Sequence, residues 1–326
     1  MRRIILVMVA CGLLFDLAAA SKFNRIIYPI KTTDASGYVL VQDQAPQKIV
    51  SADPAVTEIL FAFNLQDRLV GVTGNCDYPE EVKQVKKIGD NKVDKNKLVM
   101  LKPDLVIISL PDYSREEIES FRNIRFMTTV TFETWKGEIS TEVREVSLEV
   151  FAVDARSLDD VMQTIDTIGT ITNREHAAYS LMQRMKRKIE WVRARAMKEK
   201  RLKALVLTSK RPPIFAGEGT YLSDLAGAAG LMNVATKGKE LFPRMNRKEI
   251  EKAGPDILIA STNIARKAKD VYNDRNFRKT SAGKNKKAVV VDKDLMLRTG
   301  PRLVNALEEI ASSAYGWENK IEQTEQ

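Results

Sequence analysis

The sequence predicts an α/β protein of two similar layered lobes joined by one long α-helix. Three observations predict it. An apolar run that follows Pro-Asp occurs twice, as LKPDLVIIS at 101–109 and AGPDILIAS at 253–261. A strand–loop–helix opening of the same kind precedes each run. Between the two halves lies a stretch, Arg174 to Arg211, without Gly or Pro, in which apolar residues recur at spacings of three and four. At 326 residues the chain also exceeds the ~250–300 at which one hydrophobic core stops growing, so two domains are expected.

Residues 1–20 read as a secretory signal. Arg2-Arg3 is a basic start, Ile4 to Leu17 is almost wholly apolar, and Ala18-Ala19-Ala20 offers the small residues a signal peptidase needs. The segment is too short for a convincing membrane span. A competing reading takes Met8-Val9-Ala10-Cys11 as a lipoprotein box with Cys11 lipidated, and an uncleaved anchor is a third. Cleavage near Ala20 leaves Cys76 as the one remaining cysteine, so no internal disulfide forms and packing alone must stabilise the fold.

Residues 21–47 form an N-terminal extension, with a hairpin from Ile30 to Val41 turning at Asp34-Ala35-Ser36-Gly37. The first lobe is expected over 48–172. Its opening is the strand Lys48–Ser51 and the helical pattern Thr57–Leu65, and the first Pro-Asp run supplies a strand apolar enough to be buried on both faces. Within it, residues 126–150 alternate apolar and polar positions around Lys136-Gly137, an extra hairpin inserted in the lobe. The linker helix is expected over 173–200, from the pattern Ala178, Leu181, Met182, Met185, Ile189, Val192 and Ala196. At 1.5 Å per residue its roughly 25 residues span about 35–40 Å. The second lobe, 201–315, repeats the plan with Ala204–Thr208, Tyr221–Leu231 and the second Pro-Asp run. A polar tail, 316–326, follows.

The composition excludes most chemistry. The formal charge is +9, but basic residues are interspersed with acidic ones, as from Arg184 to Glu190, which reads as a solvated helix face and not a nucleic-acid track. His176 is the sole histidine and falls in the linker helix, so Ser-His-Asp or Cys-His catalysis has no base near a loop. One histidine and one mature cysteine do not make a metal cluster. Gly217-Glu218-Gly219 lacks the Lys-Ser/Thr of a phosphate loop. No catalytic residue, metal or cofactor is expected.

Six stretches together resemble the ABC-importer substrate-binding proteins for cobalamin, haem and ferric siderophores, the class with a single-helix linker. They are QKIVSADPAVTEILFAFNL (47–65), VGVTGNCDYPEEVKQVKKIGD (70–90), LKPDLVIIS (101–109), IFAGEGTYLSDLAGAAGLMNV (214–234), AGPDILIAS (253–261) and DLMLRTGPRLVNALEEIA (294–311). The Cys76-Asp77-Tyr78-Pro79 segment is most similar to the cobalamin-binding branch. The resemblance implies two Rossmann-like lobes with a ligand in the cleft between them, no enzymatic activity, a monomer, and an ABC permease with its ATPase as partners. The implied ligand is a corrinoid, with haem or an iron chelate as the alternative, and a sensory or adhesion module on the same scaffold as a further one.

Carried over by position, the resemblance puts Asp53 and Pro54 at the cleft. Asn75, Asp90-Asn91 and Ser109 stand where the cobalamin branch often has aromatic residues. Ile214 and Phe215 fall at the pocket edge, Phe242 matches a pocket Trp, and Asp294 and Arg298 match polar pocket positions. Trp135 on the inserted hairpin either restores an aromatic wall or packs on its own strand. Arg211, Arg244, Arg298 and Arg302 are candidates for the second-lobe side, suited to a carboxylate-bearing ligand. The family's usual docking glutamates, seven residues before each Pro-Asp, are here Asn96 and Lys248, with Glu249 next to the latter.

Overall fold

The computed structural model describes residues 28–133, 137–235 and 240–317. The proposed signal segment, Cys11, Trp135 and most of the polar tail lie outside them.

The chain opens with β1 (Ile30–Thr33) and β2 (Val39–Gln42), an antiparallel pair closed at Asp34–Gly37. The first lobe follows: β3 (Ile49–Ser51), α1 (Pro54–Ala62), β4 (Leu69–Val72), α2 (Lys95–Leu101), β5 (Leu105–Ser109), α3 (Arg115–Arg122), β6 (Arg125–Glu133), β7 (Ile139–Ser147) and β8 (Glu149–Val153). Its parallel sheet has the order β4-β3-β5-β8. Helices α4 (Leu158–Thr172) and α5 (Glu175–Ala196) lead across to β9 (Lys203–Lys210), β10 (Pro213–Phe215), α6 (Tyr221–Ala228), β11 (Met232–Asn233), α7 (Arg247–Ala253), β12 (Ile257–Ser261), α8 (Ala268–Tyr272), α9 (Ser281–Lys284), β13 (Ala288–Val291), α10 (Lys293–Met296) and α11 (Leu303–Tyr315).

The repeat seen in the sequence is a repeat of topology. In the second lobe β11, β12 and β13 run parallel to their neighbours in the order β11-β9-β12-β13, the same first-strand-inside arrangement as β4-β3-β5-β8. β10 adds an antiparallel edge on the outer half of β9. In both lobes the strand after Pro-Asp, β5 or β12, lies beside the opening strand. Both strands are apolar along their length because helices cover both sheet faces.

Local chemistry fixes the helix ends. Ser157 and Asp160 form a reciprocal capping box at the start of α4, and Asn173 takes a left-handed conformation (φ 57°) to stop it. Only two residues, Asn173 and Arg174, then separate α4 from α5. The two pack closely, since a Cβ on Gly169 would stand 2.5 Å from the Ala178 Cβ. In α5 the expected apolar positions are buried, except Met182, which is partly covered. The helix has 22 residues, about 33 Å.

The buried residues of α5 belong to one continuous cluster that runs from Leu40 through α1 and α4 to α11 and Trp317. Each lobe has a second cluster on its other sheet face. The lobes therefore share a core along α5 as well as owning separate ones. Asp34 ties the N-terminal hairpin down: its carboxylate accepts from the Ser36 and Tyr38 amides, the Ala152 amide and the Arg122 guanidinium.

One boundary differs from the expectation. The inserted hairpin is β6–β7 and ends at Ser147, whereas of Leu148 and Val150, read as its second strand, Leu148 stands between β7 and β8 and Val150 lies in β8. The reason is burial: Val150, Phe151 and Ala152 pack between sheet and helices, a continuous apolar run and not an alternation.

Candidate functional site

Open α/β sheets bind ligands beyond the carboxyl ends of their strands, near the switch point flanking the first strand. In the first lobe that end is built by the loops after β3, β4 and β5. Asp53 caps α1, accepting from the Val56 amide at 2.8 Å, and Pro54 occupies the first helical position, where its missing N–H costs nothing. Burial is the main cause that pushes the Asp53 carboxyl up to about 6, and Asp112 and Glu58 add to it. The Thr57 and Ser51 hydroxyls hydrogen-bond at 2.8 Å beneath it.

The loop after β4 brings Asn75 and Asp90 together. The Gly74 amide donates to the Gly89 and Asp90 carbonyls, at 2.8 and 2.6 Å. A Cβ at residue 74 would press against the Asp90 backbone at 3.2 Å, so glycine suits this close approach. The Asn75 amide oxygen accepts from Thr73 Oγ1 at 2.6 Å. Asp90 and Asn91 are exposed, and Ser109, at the end of β5, is half-buried.

The second lobe meets this rim along a polar seam. The Arg298 guanidinium reaches Asp294 at 2.9 Å, Asp77 at 2.7 Å, Glu58 at 3.4 Å and the Asn75 carbonyl at 3.4 Å. Arg302 holds Glu58 with two nitrogens, Nε at 2.9 Å and Nη2 at 2.6 Å, while its plane lies 3.7 Å from the Tyr78 ring centroid. Gly300 touches the first lobe directly, as a Cβ there would stand 3.1 Å from the Ala55 Cβ. Next to the seam is a cavity of about 470 Å³ between the lobes, lined by Phe61, Tyr78 and Pro79 on one side and Pro301 and Arg302 on the other. That volume is in the usual range for small-molecule pockets.

Beside Arg298 the second lobe exposes apolar surface. Leu297 is exposed and its carbonyl accepts from the Tyr221 hydroxyl at 3.4 Å. Leu241 is exposed and lies over Gly219, two residues before Tyr221. Phe242, next in the chain, is 53% exposed.

Of the residues singled out by sequence, Asn75, Asp294 and Arg298 converge, with Asp53 and Pro54 at the adjacent helix start. Phe242 belongs to the second-lobe rim. Phe215 is a correction: it is 0% exposed and packs edge-on against Phe277 in the second-lobe core, while Ile214, on the other side of a register shift against β9, is half-buried. Asn96 and Lys248 are both exposed and hold equivalent places, second in α2 and second in α7. The Glu249 carboxylate accepts from the Asn246 amide in a capping box. Sequence reasoning missed Glu58, Asp77 and Tyr78. Glu58 carried a signal, an acid on the apolar face of a helix, which needs a cation from elsewhere.

Comparison with known proteins agrees with this geometry. The periplasmic binding protein family matches residues 49–295. The uncharacterized ABC transporter substrate-binding lipoprotein YvrC of Bacillus subtilis is 29% identical over 300 residues, covering 90% of this chain and 88% of that protein. The vitamin B12-binding protein of Pectobacterium atrosepticum is 20% identical over 273 residues, covering 82% and 88%. Among solved structures, the periplasmic heme-binding protein RhuT of Roseiflexus sp. RS-1 in apo form superposes with a TM-score of 0.66 at 24% identity, covering 83% of this chain and 98% of that one. Its fold is the two-domain arrangement described above. These relatives are binding proteins and not enzymes, and the chain accordingly belongs to the periplasmic binding protein family, as a substrate-binding protein of an ABC transporter.

Proposed function

We propose that this protein is exported, captures cobalamin or a related corrinoid between its lobes, and delivers it to an ABC permease driven by a cytoplasmic ATPase. The observation that carries the reading is the exposed apolar rim of Leu241, Phe242 and Leu297 beside the polar seam. A flat macrocycle gains from an apolar or aromatic wall and needs polar groups only at its edge. Phe242 would provide the wall. Asn75, Asp90, Asn91 and Ser109 would face it from the first lobe, and Asp294 with Arg298 would orient polar substituents. The curated vitamin B12-binding relatives support the same ligand class. Export rests on the basic, apolar and small-residue pattern of residues 1–20. Among the described residues no helix is long and apolar enough to cross a membrane.

A second ligand, haem, is favoured by a different observation: Arg211 is largely exposed on the turn between β9 and β10, where a carboxylate group could reach it. For docking, α2 and α7 present Asn96 and Lys248 at equivalent positions, so the permease would carry an acidic group opposite Lys248. Gel filtration of the purified protein after incubation with cobalamin, haem or a ferric chelate, followed at visible wavelengths, tests the reading. Cobalamin colour is expected to co-elute with the protein. Co-elution of haem alone would replace the corrinoid, and the absence of any colour would reject the ligand class.

A further inference from the structure

The positive charge of this chain is concentrated. Between Arg184 and Lys203 ten Lys and Arg stand against two Glu, a net +8, while the whole chain carries +9. The remaining residues are close to neutral in sum.

Helical periodicity arranges this charge. Ala178, Leu181, Met185, Ile189, Val192 and Ala196 take the inner face of α5. Arg184, Arg187, Trp191, Arg195 and Lys198 then follow one another at spacings of three and four on the outside. Lys186, Arg193 and Met197 form the neighbouring row. Arg184, Lys186, Arg187, Arg193 and Lys198 are all exposed. Among the described residues none of these five takes part in an ion pair, whereas Lys188, at the edge of the face, is held by Glu308 at 2.6 Å.

Apolar groups stand among the cations. Trp191 is 47% exposed and Met197 is 85% exposed. Trp191 meets Trp317 edge-on at 6.2 Å, and Arg195 lies over both rings, at 5.5 and 4.4 Å. None of the cleft residues lies on this helix.

We propose that the outer face of α5, from Arg184 to Lys198, is a docking surface for an anionic phospholipid bilayer. Long basic side chains reach headgroup phosphates while their stems cover apolar surface. Tryptophan prefers the headgroup level, where its ring is half in an apolar setting and its N–H is wet. The 22-residue helix α5 and the turn after it carry these groups along one side. A nucleic-acid track would use the same phosphates but gains nothing from Met197, whereas a bilayer does. The surface is independent of the ligand cleft and of the ligand's identity.

The test is sedimentation of the purified protein with phosphatidylcholine vesicles, with and without phosphatidylglycerol. The protein is expected to co-sediment only with the anionic vesicles, and to be released as salt is raised. The double variant R187E/R193E is expected to partition at least about tenfold less, each cation near an anionic surface being worth roughly a fivefold change. Trp191→Ala is expected to weaken binding while leaving its salt dependence unchanged. All these positions are exposed, and circular dichroism checks that the variants fold. Equal sedimentation with both vesicle types, or full binding by R187E/R193E, would overturn the proposal. So would an oligonucleotide binding as tightly as the anionic vesicles at the same salt.

Discussion

Two carboxylates at the lobe junction obey opposite rules. Asp53 is half-buried with no ion pair among the described residues, and burial raises its pKa to about 6 from the ordinary 3.8. A folded value above the unfolded one means the ionised form is penalised on folding. Stability is therefore highest when the carboxyl is protonated, falls as pH rises from about 4 to about 6, and is level above that, a loss of about 3 kcal/mol. Asp53→Asn keeps the cap and removes the titration, so the difference in urea midpoint between the two proteins is expected to change across that window and to be constant above it. A constant difference throughout would contradict the assignment. Glu58 is buried with two arginines on it. Glu58→Ala strands Arg302, while Arg298 keeps Asp77 and Asp294, and is expected to cost about 3 kcal/mol, read by thermal denaturation. Arg302→Ala is expected to cost less, because Arg298 remains at 3.4 Å from the carboxylate. Equal losses would mean that Arg298 does not hold Glu58.

Among the elements, α5 and the two Pro-Asp strands were legible in the sequence because their signals are local: a sustained period of three and four, and short apolar runs behind a helix-stopping proline. The end of the inserted hairpin was not legible. Leu148 and Val150 continue an alternating pattern on paper, and only the pairing of β8 with β5 shows that Val150 sits in a separate, buried strand. The N-terminal hairpin was legible from its Asp-Ala-Ser-Gly turn, but not its anchor, since the partners of Asp34 lie at Arg122 and Ala152. With its carboxylate fully buried, Asp34→Ala leaves Arg122 without that partner and is expected to cost about 3 kcal/mol. Hydrogen exchange is expected to rise first at Val39–Gln42. Unchanged protection there would show that strand pairing alone holds the hairpin.

At the scale of the molecule, two like-ordered sheets share one core through α5 and meet again at the Arg298–Arg302 seam. The first junction was legible as a helix without breakers. The second was not, because ion pairs between residues more than two hundred positions apart leave no local pattern. The same limit applies to the cleft: Asn75 and Asp294 could be named singly by position, but their approach depends on Gly74, Gly300 and the Arg298 fork. The central claim is that both lobes hold one ligand. Titration calorimetry of cobalamin into the wild type, Asn75→Ala and Phe242→Ala tests it most directly. One site per chain is predicted, weakened about tenfold by either variant, as expected for the loss of about 1.4 kcal/mol of contact. Undiminished affinity in either variant, or two independent sites per chain, would contradict it.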